Sequence, residues 1–422
     1  MYQTLELFPG VTLRCIRDDR FKQGALSIQF LRPMTRQEAA LNALLPAVLL
    51  RGCVRCPDLK QITHRLDDLY GASVGTLVRR IGDYQTTGFY CGFMEDRFAL
   101  GGDRILAPMV AFAGELLLQP VLEGRGFSPD FVESEKRNLI AAIESQRSDK
   151  RAYAAGRLLE IMCEQDSFGI PRLGETAQVN AIDAENLYNH YQKLLAESPL
   201  ELFYVGSAQP EAVAEIVRPI FAGLPRRVSA LPAQTPFQFS PGKDETETQD
   251  VAQGKLSLGF FTPITNQDSR FAAMQVCNAV FGSGMTSKLF MQVREKMSLC
   301  YAIGSSYYGS KGILTVNAGI DFQKEPAARE AILAQLAACQ NGEISDDEML
   351  SAKESILSGL RAVYDSPGAM EAFFGVASRS GLNRSLEEYA AQTKAVTLRD
   401  IVEAANTITL HSSFFLKGGA NG

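Results

Sequence analysis

Hydrophobic and polar positions along the chain follow strand and helix periods in turn. Residues 25–31 and 255–261 alternate in character and end near a proline, so both are predicted to be strands. Each is followed by a stretch with apolar residues three and four positions apart, which predicts a helix. The same patterns predict further helices and strands in both halves. The helices cover residues 37–50, 129–146, 268–281 and 325–338, and the strands cover residues 86–93, 200–205, 312–319 and 413–417.

The two halves of the chain resemble each other. GALSIQFLRPMTRQ at residues 24–37 and GKLSLGFFTPITNQ at residues 254–267 are identical at seven of fourteen positions, with a constant offset of 230 residues. The same offset pairs Gly52 with Gly282 without a gap. A repeat of about half the chain has the size of a domain. The sequence therefore predicts a duplicated domain.

Each half is predicted to be an α+β domain with helices packed on a largely antiparallel sheet, because its strands and helices do not alternate strictly. A helix near the end of each half begins at Asp183 or Thr397, whose side-chain oxygens can cap free backbone amides. Residues 228–249 are rich in Pro, Ser, Thr, Gln and acidic residues, which indicates a linker. The predicted domains are residues 1–227 and 250–422.

Composition and charge argue against several classes of function. The 422 residues include 42 basic and 48 acidic ones, so the net charge is −6, which argues against a general nucleic-acid or anionic-membrane surface. The longest apolar run, residues 43–50, is far shorter than the ~20 residues of a membrane helix. Residues 1–16 lack the pattern of a signal peptide. We expect a cytoplasmic protein with reduced cysteines and with no nucleic-acid or membrane partner.

The segment FGSGMTSKLFMQVREKMSLCYAIGSSY at residues 281–307 has a turn with Gly282 and Gly284, then a helix, then an Arg followed seven residues later by a Tyr. Together with the stretches at 131–146 and 183–194, it resembles the insulinase/pitrilysin-type metallopeptidases, in the branch that includes mitochondrial processing peptidase. The resemblance covers nearly the whole chain. It implies two homologous domains that close like a clamshell around a chamber.

Active members of that family hold zinc with a His-x-x-Glu-His motif on the first helix, where ligands at i and i+4 share one face and the Glu is the general base. Aligning the chain with the family at Arg-Gly-Cys, residues 51–53, implies which residues stand at the four motif positions: the two His ligands, the Glu base and the third ligand, in that order. They are Ala43, Ala47, Pro46 and Ala142. None of these side chains can bind zinc or accept a proton. We therefore expect no metal, no cofactor and no peptidase activity of the chain alone.

The resemblance also implies that the other half of the family's site is retained. In active relatives the C-terminal half, or a partner subunit, contributes an Arg and a Tyr that contact the peptide opposite the zinc, in a role of the oxyanion-hole type. By position these are Arg294 and Tyr301. The implied function is that of a zinc-less subunit, acting on peptides with a zinc-bearing paralogue or as a self-dimer. The pattern is similar to zinc-less bacterial members, some associated with 5-aminopentanol modification of elongation factor P.

Other interpretations stay open at this level. The chain can be a purely structural or peptide-binding protein of the same fold, with Arg294 on its surface and Tyr301 in its core. Cys53 and Cys56 form a CxxC motif, so a thiol redox or metal role is a third hypothesis. The Gly-x-Gly turn is not followed by Lys-Ser/Thr at P-loop spacing, which favours a structural or peptide-facing turn over a phosphate site. The sequence names neither the substrate peptide nor the partner.

Overall fold

Two sheets dominate the computed structural model, which describes residues 2–237, 240–382 and 384–419. The first half of the chain contains the strands β1 (Gln3–Phe8), β2 (Val11–Arg17), β3 (Gln23–Pro33), β4 (Ser73–Ile81), β5 (Tyr84–Met94) and β8 (Leu200–Gly206), and a short hairpin of β6 (Leu122–Glu123) and β7 (Gly126–Phe127). The second half contains β9 (Asp244–Gln249), β10 (Gly254–Phe261), β11 (Cys300–Tyr308), β12 (Ile313–Ile320) and β13 (Thr409–Gly418).

The five strands of the second sheet are arranged like five of the six strands of the first, and β1 is the additional edge strand. In space the first has the order β1-β2-β8-β3-β5-β4, and the second, beginning from its other edge, has the order β9-β13-β10-β12-β11. In both, the last strand of the half pairs in parallel with one neighbour, β2 or β9, and antiparallel with the other, β3 or β10. The remaining pairs are antiparallel. The predicted α+β architecture, with a largely antiparallel sheet in each half, is confirmed.

The helices follow the predicted periods. The first half has α1 (Arg36–Leu49), α2 (Leu59–Asp68), α3 (Leu106–Leu118), α4 (Pro129–Ser148), α5 (Lys150–Met162), α6 (Thr176–Asn180), α7 (Ala184–Glu197) and α8 (Pro210–Phe221). The second half has α9 (Phe271–Phe281), a π-helix (Leu289–Lys296), α10 (Glu325–Gln340), α11 (Asp346–Ala362), α12 (Pro367–Ser380), α13 (Leu386–Ala395) and α14 (Leu398–Ala405). Asp183 and Thr397 cap α7 and α14 as predicted, each accepting a hydrogen bond from a backbone amide three residues on. Among the described helices, none has both the length and the apolar character needed to cross a membrane.

The two compact units do not coincide with the two halves of the sequence. The first unit consists of Met1–Glu144, Ile170–Gln234 and Val363–Val376, and the second consists of Ser145–Gly169, Thr235–Ala362 and Ala377–Gly422. Helix α5 of the first half therefore belongs to the second unit, where Leu158 packs with Phe414 and Leu416 of β13. Most of α12, from the second half, belongs to the first unit. The predicted domains, residues 1–227 and 250–422, differ from these units by the two exchanged segments.

Part of the predicted linker lies in a sheet. Strand β9 pairs in parallel with β13, from Asp244 opposite Ser413 to Gln249 opposite Gly418. The prediction of a linker over residues 228–249 therefore needs correction for the last six residues, which form the edge strand of the second sheet. Their side chains are charged or polar on both faces, and such residues discourage pairing with another chain at a sheet edge.

Candidate functional site

Helix α1 contains three of the four zinc-motif positions of the resemblance. Thr35 caps its first turn by accepting a hydrogen bond from the backbone amide of Glu38 at 3.2 Å. Ala43 and Pro46 are buried and Ala47 is half-buried, so two of these positions have become part of the packing of the first unit. A methyl group and a pyrrolidine ring offer no lone pair to a metal.

Pro46 removes one backbone hydrogen bond from α1, and a side chain of the neighbouring strand replaces it. Proline has no amide hydrogen, so the carbonyl of Asn42, four residues earlier, loses its normal helical partner. The hydroxyl of Thr87 on β5 donates to this carbonyl at 2.6 Å. The position that holds the general base in active relatives is thus accommodated by a side chain from the neighbouring strand.

A buried polar cluster lies beside the same turn of α1. The side-chain amide of Asn42 donates to Oε1 of Gln85 at 2.9 Å, and its oxygen accepts a hydrogen bond from Nε2 of His190 at 2.7 Å. Burial lowers the pKa of His190 to about 4, so the ring is neutral at physiological pH. The imidazole is therefore a structural group bound to an amide, and among the described residues it belongs to no group of metal-ligating side chains.

The third-ligand position, Ala142, is exposed on α4, as is Glu144 two residues later. Within the described residues, no group of three or more His, Cys, Asp and Glu side chains is placed to hold a metal ion. Residue chemistry and geometry thus agree that the donors of the family's zinc centre do not occur at its positions in this chain.

Each glycine of the Gly-rich turn in the second half occupies a position that disfavours a side chain. A Cβ on Gly282, where α9 ends, would lie 2.6 Å from both Cδ1 of Leu289 and Oγ of Ser305. Gly284 has φ +135°, in the region that only glycine adopts readily, and has open space around it. The carbonyl of Gly282 also accepts the backbone amide of Ser305 at 2.9 Å. The turn is therefore fixed against β11.

The π-helix that follows is anchored at its start and opens into a tight turn at its end. Nζ of Lys288 makes an ion pair with Glu348 of α11 at 2.9 Å, with the lysine side chain only 9% exposed. At the other end the backbone amide of Met297 donates to the carbonyl of Gln292, five residues earlier, as in a π-helix. Ser298 then adopts φ +52°, which reverses the chain into β11. A tight turn therefore separates Arg294 from Tyr301.

Arg294 is partly exposed on the π-helix. Its guanidinium carbon lies 4.6 Å from the centroid of the Phe290 ring, and its Nε is 3.5 Å from Oε1 of Glu295. The side chain is 38% exposed. A guanidinium has five N–H donors, and stacking on a ring uses none of them. Most of its hydrogen-bonding capacity is therefore available to a ligand.

Tyr301 lies at a β-bulge, where the register between β11 and β12 shifts between Cys300 and Ala302. It is 59% exposed, and its hydroxyl donates to Oδ1 of Asp321 at 2.8 Å. This hydrogen bond and the carboxylate charge raise the pKa of Tyr301, so the phenol stays a donor at physiological pH. Nζ of Lys324 contacts the other carboxylate oxygen at 3.0 Å.

The structure places Arg294 and Tyr301 on adjoining elements but gives each its own partner. In the part of the chain that is described, no hydrogen bond joins their side chains. Sequence reasoning did not identify Asp321 as the acceptor for Tyr301, because the two are twenty positions apart and meet only through the register of β11 and β12. That the pair contacts a peptide stays a prediction.

The CxxC pair lies in the loop between α1 and α2. The backbone amides and carbonyls of Cys53 and Cys56 bond to each other at 2.9 and 3.1 Å, and both thiols are free. Burial and the neighbouring Cys53 thiol raise the pKa of Cys56. A reactive cysteine needs a lowered pKa, so this environment disfavours a thiolate. His64 is exposed on α2 and is not part of any metal-binding group of side chains among the described residues.

Fold and site together define a class: a duplicated metallopeptidase-like α+β protein whose zinc-motif positions hold alanine and proline. Residues 181–356 match the family described as Peptidase M16 inactive domain. The probable inactive metalloprotease YmfF of Bacillus subtilis (strain 168) is 31% identical over 409 residues, covering 97% of this chain and 96% of that protein. The chain belongs to the M16 peptidase family. The insulinase/pitrilysin resemblance is thereby confirmed.

Solved structures agree with this assignment. A conserved protein from Enterococcus faecalis V583 superposes with a TM-score of 0.92 at 28% identity, covering 100% of this chain and 99% of that one. A peptidase M16 inactive domain from Pseudomonas fluorescens gives a TM-score of 0.80 at 16% identity, covering 99% and 98%, which shows the fold alone. An uncharacterized zinc protease of Rickettsia felis is 23% identical over 58% of this chain and 59% of that protein.

Proposed function

We propose that this chain is the zinc-less subunit of a heteromeric M16 peptidase, in which Arg294 and Tyr301 donate hydrogen bonds to a peptide that a zinc-bearing paralogue cleaves. The observation that carries the proposal is the contrast between its two halves. The zinc-motif positions of α1 hold packed or inert side chains, and Thr87 compensates for Pro46. The segment from Gly282 to Tyr301 keeps its tight turn and leaves both donors accessible.

The proposed chemistry is electrostatic. Attack on a peptide carbonyl builds negative charge on its oxygen, and donors already in place stabilise that charge without rearrangement. Arg294 supplies a permanent positive charge. Tyr301 supplies a phenol that is protonated at physiological pH, and it reaches a peptide when its hydroxyl exchanges Asp321 for the carbonyl. Lys324 remains to balance the released Asp321 carboxylate.

Family membership supports such a division of labour. Relatives of this chain include proteins named inactive metalloprotease and proteins named zinc protease. We propose a bacterial and cytoplasmic setting for the assembly, with a zinc-bearing paralogue as partner and a self-dimer as the alternative oligomer. A role beside elongation factor P modification is a hypothesis that the same reconstitution can address by using candidate substrates from that pathway.

The test is reconstitution with a paralogue that carries an intact His-x-x-Glu-His motif. Arg294→Ala and Tyr301→Phe should leave assembly intact, as measured by gel filtration with light scattering, and lower peptide hydrolysis by about 10²–10³, the cost of losing one oxyanion donor. Matched controls are Arg399→Ala, an exposed arginine paired with Glu403, and Tyr70→Phe, whose hydroxyl donates to Asp103 at 2.6 Å. Both controls should hydrolyse peptide at the wild-type rate.

A second candidate function is a structural or peptide-binding protein without a role in proteolysis. It is favoured by the internal partners of the pair, since Tyr301 already bonds Asp321 and Arg294 already stacks on Phe290. Wild-type hydrolysis by both variants in an intact complex would support this candidate against the first. Loss of the complex in either variant would assign that residue to the interface or the core and contradict the expectation that assembly stays intact.

A further inference from the structure

A cavity of about 230 Å³ lies in the second unit, between α5 and the strands β10, β11 and β12. Cavities that hold whole small-molecule ligands are usually about 300–1,000 Å³, so this one suits a single chemical group. Its lining includes two positively charged side chains and no acidic one. The lining includes Arg151 of α5, Lys255 and Ser257 of β10, Ala302 of β11, and Asn317 and Gly319 of β12.

Small residues create the space at the floor of the cavity. Gly319 lies opposite Lys255 on one side and Ala302 on the other, so a glycine and an alanine occupy neighbouring strands at one level of the sheet. A Cβ on Gly319 would come within 2.8 Å of Oε1 of Gln253. The lysine ammonium therefore stands over a floor that no larger side chain fills.

The positive charges around this space are only partly compensated by acidic side chains. Burial, with the nearby charge of Arg151, lowers the pKa of Lys255, and its ammonium donates to the neutral amide of Gln253. Arg151 makes no ion pair within the described part of the chain. The carboxylate of Asp149 offsets part of this charge, because it acts on the pKa of Lys255 in the opposite sense to burial and Arg151. It is a single acid beside two cations, and as the N-cap of α5 it also accepts the amides of Arg151 and Ala152 at 2.9 and 3.1 Å. The electrostatics thus favour an incoming anion.

Polar groups at the next level of the sheet complete the lining. Ser257 and Asn317 face each other across β10 and β12, and the serine hydroxyl donates to Oδ1 of Asn317 at 2.7 Å. The oxygen of that amide is thereby used and its N–H donors are left for a ligand. Two cations and an amide donor around a small space match the needs of a carboxylate.

We propose that this cavity binds a carboxylate of the peptide substrate, either an acidic side chain or the C-terminal carboxylate. The inference deepens the proposed function and rests on it for the peptide, because Ala302 in the cavity lining directly follows Tyr301 along β11. A peptide whose backbone meets Tyr301 has its next groups within reach of the cavity. The internal repeat also distinguishes this position in the second half. At the offset of 230 residues, Lys255 aligns with Ala25, so the first half has no lysine at the equivalent position.

Direct binding to the full chain tests the inference without any peptidase activity. The probes are four dye-labelled decapeptides of one sequence, with a central Glu or Gln and with a free or amidated C-terminus, measured by fluorescence anisotropy. One carboxylate should strengthen binding by about tenfold, the size of one charge-assisted hydrogen bond. Salt should weaken this preference, because the cavity is open to water at Arg151. A preference for the central Glu over Gln would identify an acidic side chain as the source of the carboxylate. A preference for the free over the amidated C-terminus would identify the C-terminal carboxylate.

Variants separate the cavity from the rest of the surface. Arg151→Gln and Lys255→Met should each reduce the preference to threefold or less, while Arg399→Gln, the same change on an exposed arginine of the second unit, should preserve it. Equal binding of the four peptides to the wild type, including no binding by any of them, would overturn the inference. So would a preference that survives in the Arg151→Gln/Lys255→Met double variant with an unchanged circular dichroism spectrum. The inference stands if this preference is found even where Arg294→Ala and Tyr301→Phe leave hydrolysis unchanged.

Discussion

Glu371 ties α12 to the first sheet through a buried ion pair, and removing its charge should destabilise the first unit. Its side chain is fully buried, and its two oxygens accept Nη1 and Nη2 of Arg79 at 2.9 and 2.7 Å. The hydroxyl of Ser27 on β3 donates to the same carboxylate at 2.7 Å. This two-pronged geometry fixes a helix from the second half of the chain against strands β3 and β4.

The expected cost follows from what Glu371→Gln leaves behind. The amide keeps the shape of the side chain, but Arg79 loses its counter-charge. Breaking a buried pair from one side costs about 3–5 kcal/mol. Since the Arg79 side chain is 22% exposed, water recovers part of its solvation, and we expect about 2–3 kcal/mol. For a domain of this size the melting temperature should fall by about 5–10 °C.

Guanidinium chloride unfolding and calorimetry measure this cost. Glu354→Gln is a matched control, because that glutamate is 58% exposed and pairs loosely with Arg361 at 3.7 Å, so its free energy of unfolding should change by less than about 0.5 kcal/mol. Adding Arg79→Met to Glu371→Gln should recover part of the stability, since no unpaired charge remains. A Glu371→Gln variant as stable as the wild type would refute the reasoning that the buried charge pair stabilises the first unit.

His190, the zinc-less first helix and the Gly-rich turn lead to three more expected outcomes. Burial lowers the pKa of His190 to about 4 from about 6.5 in the unfolded chain, so the unfolded state binds more protons and stability falls as the pH drops between these values. His190→Gln should flatten this part of a curve of melting temperature against pH, and the exposed His64→Gln should not. Elemental analysis of the purified protein should find no stoichiometric zinc, whereas one zinc per chain that is lost in Cys53→Ser would support the thiol hypothesis. Gly282→Ala should lower the free energy of unfolding by about 1–3 kcal/mol because its Cβ would collide with Leu289, and an unchanged unfolding midpoint would contradict this packing.

Local hydrophobic patterning predicted the positions of several elements well. The helix predicted at residues 37–50 is α1 (Arg36–Leu49), and the strand predicted at residues 312–319 is β12 (Ile313–Ile320). Such patterns depend only on which residues are apolar within a short stretch of sequence. The duplication was equally visible, because a repeated sequence pattern implies a repeated backbone, and five strands of each sheet share one arrangement.

The pairing of β9 at the edge of the second sheet was not predicted from the sequence, and the reason is physical. Residues 244–249 are acidic and polar on both faces, a composition that indicates a solvated segment. The structure pairs them with β13 through backbone hydrogen bonds, which require no particular side chain. A strand at a sheet edge therefore forms with almost no hydrophobic signal of its own.

The sequence by itself determined the family, the duplicated architecture and the absence of zinc donors at Ala43, Ala47 and Ala142, because these depend on residue identity at aligned positions. Tertiary structure alone decided which sheet each exchanged segment covers, since an apolar helix face does not specify its partner. It also decided the long-range pairs that give the proposed sites their chemistry. Tyr301 meets Asp321 through a bulge in a strand register, and Arg151 meets Lys255 because α5 crosses into the second unit. Such contacts arise from the packing of elements distant in sequence, and no local pattern encodes them.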